Sequence, residues 1–156
     1  MGTTTDRDSP CLKEHRPDGQ QKCHIVLPEE ERAKGYVRPL RVEYRHVGIA
    51  GPRHPLVDLS PEDLERFRKI GYVKFEPYPN DGSHGSALGR YWTQGQLDSI
   101  DKGCKTTTRM PAACAETYAR QPGFYGKTFC CACGDYFPVR EDGEFIWLDD
   151  GTRVGT

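Results

Sequence analysis

The chain has 156 residues, 35% of them hydrophobic and 29% charged, with 17 Gly and 12 Pro. Those figures bound it to one domain, or one domain with a small appended module, holding a modest core and many turns. No stretch approaches the roughly 20 apolar residues that cross a bilayer, so no membrane partner is expected, and a formal net charge of −1 supplies no global attraction to nucleic acid or anionic lipid.

Met1 to Pro10 has no apolar segment of the kind a secretory signal carries. The polar, aperiodic start and the turn signal Arg16-Pro17-Asp18-Gly19 predict a flexible N-terminal arm over residues 1–24. Residues 25–103 read as an α+β core. Pro28 to Gly35 has acids behind an opening Pro and a closing Gly, which suits one or two helical turns. From Val37 to Val47 the pattern alternates, with Leu40, Val42, Tyr44 and His46 on one face and Arg41, Glu43 and Arg45 on the other, predicting a half-buried strand. Ser60 is an N-cap before Pro61, Leu64, Phe67 and Ile70 form a helical stripe, and Gly71 ends it. Tyr72 to Tyr78 predicts a second strand. Thr93 and Gln96 form a capping box for a second short helix that stops at Gly103.

Residues 104–156 read as a zinc-binding helix plus β-meander packed on that core. An alanine-rich third helix runs from Pro111 to before Gln121-Pro122-Gly123, with Cys114 and Tyr118 on one side. Asp142-Gly143 and Asp150-Gly151 are hairpin signals between Tyr136–Val139, Phe145–Leu148 and Thr152–Val154. The expected fold is therefore a small mixed α+β domain of two strands and three short helices, followed by a zinc-ribbon-like antiparallel β-meander.

Seven cysteines, an odd number with Cys130 and Cys131 adjacent, fit a disulfide framework poorly. In a cytoplasmic chain with reduced thiols such spacing points first to metal. Cys130-Cys131-Ala132-Cys133-Gly134 places two thiols two residues apart before a glycine, the arrangement of a tight turn whose sulfurs reach one tetrahedral ion. Cys130 and Cys133 are the pair, Cys104 behind a helix stop is the third ligand, and Cys114 is the fourth, with His84 or Cys131 as alternatives. The competing reading of Cys114 is a small core residue among alanines. A structural Zn2+ is the expected cofactor. A redox use of C-x-x-C would need a helix after the motif, and strands follow here. Cys11, His15, Cys23 and His24 match no standard ligand spacing.

Arg38, Arg41, Arg45 and Arg53, near Tyr36 and Tyr44, have the composition of a single-strand nucleic-acid surface, but a solvated strand face accounts for them as well. His46 and His54 flank a Gly/Pro-rich loop where a base or metal ligand would be at home. Tyr91-Trp92 and Phe124-Tyr125-Gly126 read as core anchors. None of the common hydrolase, phosphate-loop or dinucleotide motifs occurs.

Gly71-Tyr72-Val73-Lys74-Phe75-Glu76, Gly89-Arg90-Tyr91-Trp92-Thr93, Ala115-Glu116-Thr117-Tyr118-Ala119-Arg120, Phe124-Tyr125-Gly126-Lys127-Thr128-Phe129-Cys130 and Glu144-Phe145-Ile146-Trp147 together resemble small bacteriophage- and prophage-encoded proteins. The resemblance covers roughly Arg45 to the C-terminus and implies a viral protein in a bacterial cytoplasm or on the virion. It implies no activity. The function expected is a zinc-stabilised binding protein that engages a host or viral protein. A nucleic-acid-associated protein, a virion component and a metal-dependent hydrolase or nuclease are the alternatives.

Overall fold

The structure, a computed structural model, describes residues 2–156. In chain order its first elements are β1 (Gly2–Thr4), a single 3-10 turn (Pro10–Leu12), β2 (Cys23–Ile25), α1 (Glu29–Arg32), β3 (Glu43–His46), β4 (Val57–Asp58), α2 (Pro61–Arg66) and β5 (Tyr72–Pro77). β6 (Gly89–Thr93), α3 (Gln94–Asp98), β7 (Thr107–Arg109), α4 (Ala112–Arg120), β8 (Lys127–Cys130), β9 (Asp135–Pro138) and β10 (Phe145–Trp147) follow. Among the described residues the fold is mixed α+β, with four helices and several antiparallel sheets. The expected count of two strands and three helices ahead of a meander was too low, because short strands pair with partners far along the chain.

Two compact units divide the chain. One takes the residues up to Gly48 and from Gly103 onward, and the other is Ile49–Lys102.

In the first unit, β10, β3 and β7 form an antiparallel sheet in that order. Its core gathers Val26, Tyr44, Met110, Cys114, Tyr118, Cys130, Phe145, Trp147 and Val154. Tyr44, Phe145 and Trp147 meet edge to face at 5.3 and 6.3 Å, the arrangement ring quadrupoles favour. The predicted alternation holds at Tyr44 and His46, both buried. Leu40 precedes the strand and is exposed, and Arg41 is buried with its guanidinium over the Trp147 ring.

The meander is corrected. β8 and β9 form an antiparallel hairpin, but β10 pairs with β3 instead of β9. Arg140 takes a left-handed conformation (φ 82°) after β9 and turns the chain away, and pairing with β3 buries Phe145 and Trp147 against Tyr44. The expected last strand contributes only an isolated bridge between Ile146 and Arg153.

The stretch read as a flexible arm, 1–24, of which Met1 lies outside the described residues, carries β1 paired in parallel with β2 and a Cys11–Cys23 disulfide where reduced thiols were expected. The Arg16–Gly19 turn lies against the segment that follows β8: a Cβ on Gly19 would stand 2.0 Å from the Gly134 carbonyl oxygen. Only glycine permits that approach at φ +92°. Tyr136 Oη accepts the Gln21 N–H at 2.9 Å, and Tyr125 Oη donates to the Ile25 carbonyl at 2.5 Å.

The second unit is an antiparallel sheet in the order β4-β5-β6 with α2 and α3. Both caps form as predicted: Ser60 Oγ accepts the Asp63 N–H, and Thr93 and Gln96 complete a reciprocal capping box. The Tyr91 ring meets Phe67, Tyr72 and Phe75 at centroid distances of 4.8, 5.2 and 4.7 Å, and Phe67 meets Tyr72 edge to face at 5.4 Å. Elsewhere Trp92 and Glu76 are buried. The Glu76 carboxylate accepts the Trp92 indole N–H at 3.0 Å and the backbone N–H groups of Arg53 and His54 at 3.0 and 3.2 Å, so its burial is compensated. None of the helices among the described residues is long and apolar enough to cross a membrane.

Candidate metal centre

Four side chains of the first unit converge. The ligand atoms of His46, Cys104, Cys130 and Cys133 all lie within 4.8 Å of one another, a group compatible with a metal ion.

The sequence-local part is the turn after β8. Cys130 ends the strand fully buried, the Gly134 N–H donates back to its carbonyl at 2.9 Å, and Gly134 takes φ +67°. This brings Cys133 round to the same side as Cys130. Cys131 points elsewhere: its N–H donates to Thr108 Oγ1 at 3.1 Å, and its sulfur accepts from the same hydroxyl at 3.3 Å. Adjacent residues on an extended strand end face apart, which removes Cys131 from the group.

Cys104 arrives from the loop before β7. Gly103 crosses against the backbone of His46, and the Lys105 N–H donates to the His46 carbonyl at 2.8 Å with Lys105 in a left-handed conformation (φ 66°). The Cys104 and Cys130 sulfurs are 3.4 Å apart. His46, the last residue of β3, places Nδ1 3.5 Å from the Cys133 sulfur. Its ring is held between Phe137 and Phe145 at centroid distances of 4.5 and 4.9 Å, and Nε2 lies 2.9 Å from a Glu144 carboxylate oxygen. A carboxylate on the far nitrogen keeps the proton there and leaves Nδ1 as a lone-pair donor, which is how metal-binding histidines are oriented.

The electrostatics favour a cation. Desolvation works against ionising all three thiols. At Cys104 that penalty is outweighed by hydrogen bonding to Thr106, Cys130 and His46, which holds the thiol down to about 6. Cys133 is pushed up to about 12, by desolvation first and then by the neighbouring Cys130 and Cys104 sulfurs. Cys130 is raised, chiefly by burial. Three sulfurs this close repel one another once ionised, and a divalent cation converts that repulsion into attraction. Tetrahedral bonds of about 2.3 Å to sulfur put neighbouring sulfurs about 3.8 Å apart, close to the spacing present.

Of the expected ligands, Cys104, Cys130 and Cys133 come together. Cys114, expected as the fourth, lies outside the group. It faces the core from α4, buried beside Tyr118 and Tyr125, with its thiol raised by burial. His84 is also outside, its Nε2 3.2 Å from His54 Nε2 in the second unit. The fourth member of the group is His46. Its signal was present in the sequence as a polar residue in phase with Tyr44 on the buried face of a strand. Glu144 carried no comparable signal.

Glu144→Gln keeps the shape but removes the charge behind His46. We expect a loss of metal affinity of roughly 10–100-fold with the fold retained, measured by competition with a chromophoric chelator. Unchanged affinity would remove Glu144 from this role.

Comparison with protein-family models, curated proteins and solved structures yields no match.

Proposed function

We propose that the His46, Cys104, Cys130 and Cys133 group holds one structural Zn2+ in a zinc-ribbon-like setting, and that the chain is a phage-encoded binding protein engaging a host or viral protein. The observation that carries the metal reading is the donor set: three sulfurs and one carboxylate-backed imidazole nitrogen. Soft thiolates with one imidazole suit zinc, and four protein donors close a tetrahedron. A hydrolytic zinc site keeps a position for water, so this set supports a structural role over the hydrolase alternative. The binding role rests on that support and on the resemblance to phage proteins.

The test is affinity capture from bacterial lysate with the zinc-loaded chain and with Cys133→Ser side by side, followed by reconstitution from purified components. The expected result is a partner retained by the parent chain, lost by the variant and rebound in the purified system. Capture that is equal for both proteins, or that fails to reconstitute, would overturn the binding role. Zinc content measured on the same preparations judges the metal reading separately.

A further inference from the structure

A second candidate site lies in the first unit, apart from the metal ligands. A cleft of about 70 Å³ opens among β2, β7, α4, β8 and β9. That is room for more than one water molecule. Its walls are aromatic: Tyr44, Tyr118, Tyr125, Phe129 and Tyr136 all line it.

One polar group in this lining is unsatisfied. Tyr118 is 3% exposed, and its hydroxyl, which has the Thr128 hydroxyl beside it, makes no hydrogen bond of normal geometry among the described residues. The neighbouring hydroxyls are engaged. Thr128 Oγ1 is directed to Tyr44 Oη at 3.5 Å, and Tyr44 Oη donates to the Phe129 carbonyl. Buried hydroxyls nearly always have a partner, and one without is a place to look for a ligand. Burial holds Tyr118 well above the ordinary tyrosine range, so it meets a ligand as a neutral donor or acceptor.

The charges around the cleft have one sign. Arg109, itself paired with Glu43 at 3.1 Å, and the exposed Lys127 line it, and no aspartate or glutamate does among the described residues. Aromatic walls, one buried hydrogen-bonding hydroxyl and cationic side chains in the lining define a complementary molecule: a flat ring with a polar substituent at one end and an anionic group at the other.

We propose that this cleft binds a small monocyclic aromatic carboxylate, with the ring among the tyrosines, a ring substituent on Tyr118 Oη and the carboxylate toward Lys127 and Arg109. The chemistry is shared by a free aromatic acid and by a tyrosine at the C-terminus of a peptide. This reading does not depend on the identity of the metal.

The test is a chemical-shift titration of the isotope-labelled, metal-loaded full chain with 4-hydroxybenzoate, 4-hydroxybenzamide and N-acetyl-tyrosine. Saturable shifts centred on the cleft residues are expected below about 10 mM for at least one of the two acids. The preferred acid distinguishes the two sources. The uncharged amide and the Tyr118→Phe variant should each weaken binding by about 5-fold or more, since each removes one hydrogen-bonding or charge contact. Tyr118→Phe keeps the ring and leaves no hydroxyl to satisfy, so its fold should persist; Lys127→Ala, at an exposed position, provides a second variant with the same expected direction. No saturable shift with either acid, or equal affinity of acid, amide and Tyr118→Phe, would overturn the proposal and leave the cleft to water.

Discussion

Cys130→Ser is expected to abolish stoichiometric metal binding and to lower the unfolding free energy by more than about 4 kcal/mol, because the energy of binding a structural metal is folding energy. For a chain of this length that is a fall in melting temperature of roughly 10 °C or more. Cys130 is the fully buried member of the group and joins β8 to both Cys104 and the turn that carries Cys133. A serine there is a poor zinc ligand and places a hydroxyl where the remaining thiols cannot satisfy it. Treating the parent chain with a strong chelator should reproduce the fall. Cys114→Ala is the control. It removes a sulfur from the core but no ligand, so one metal per chain should remain, at a cost of about 1 kcal/mol. Elemental mass spectrometry and thermal melting on the three proteins check this. Metal retained by Cys130→Ser, or lost by Cys114→Ala, would refute the assignment of ligands.

Gly103→Ala should be nearly as damaging, although it touches no ligand atom. A Cβ at this position would stand 2.2 Å from the His46 carbonyl oxygen, 2.4 Å from its carbon and 2.6 Å from the Gly48 nitrogen. All three are backbone atoms, so no side-chain rotation relieves the clash. The loop must move away from β3, which breaks the Lys105 N–H bond to the His46 carbonyl and shifts the Cys104 sulfur relative to its three partners. We expect about 3 kcal/mol of destabilisation and a loss of metal affinity of at least about 10-fold. Gly123→Ala, where an added Cβ meets nothing within 4 Å, should stay within about 0.5 kcal/mol of the parent. Chemical denaturation and chelator competition on both variants test the contrast. If Gly103→Ala matched the parent in both measurements, the close crossing of the loop over β3 would be wrong.

The same contrast runs through the whole chain. Features set by neighbours a few residues apart were legible. Ser60 and the Thr93–Gln96 pair cap helices because the capping atoms lie within one turn of the groups they satisfy. The Cys130–Gly134 turn is likewise readable, since the spacing of the thiols and the glycine together dictate that both sulfurs face one side. The buried phase of Tyr44 and His46 follows from the two-residue period of a strand.

What the sequence left open are the pairings between distant segments. Asp142-Gly143 announced a turn, yet whether the following strand returned to β9 or crossed to β3 depended on where Phe145 and Trp147 would be buried, and Tyr44 decides that from about 100 residues away. That crossing carries Glu144 to His46, 98 residues distant in the chain, and so creates the histidine's supporting contact. Cys114 was the expected fourth ligand, with His84 or Cys131 as alternatives, and His46 was read only as a base or metal ligand beside a Gly/Pro-rich loop. The packing of α4 turns the thiol into the core, while β3 ends beside Cys133. The sequence by itself determined the helix caps, the thiol pair and which strand face is apolar, because each is settled by short-range geometry. Only the tertiary structure decided the strand partners, the imidazole in the fourth position and the carboxylate behind it, because each depends on which distant apolar side chains are buried together.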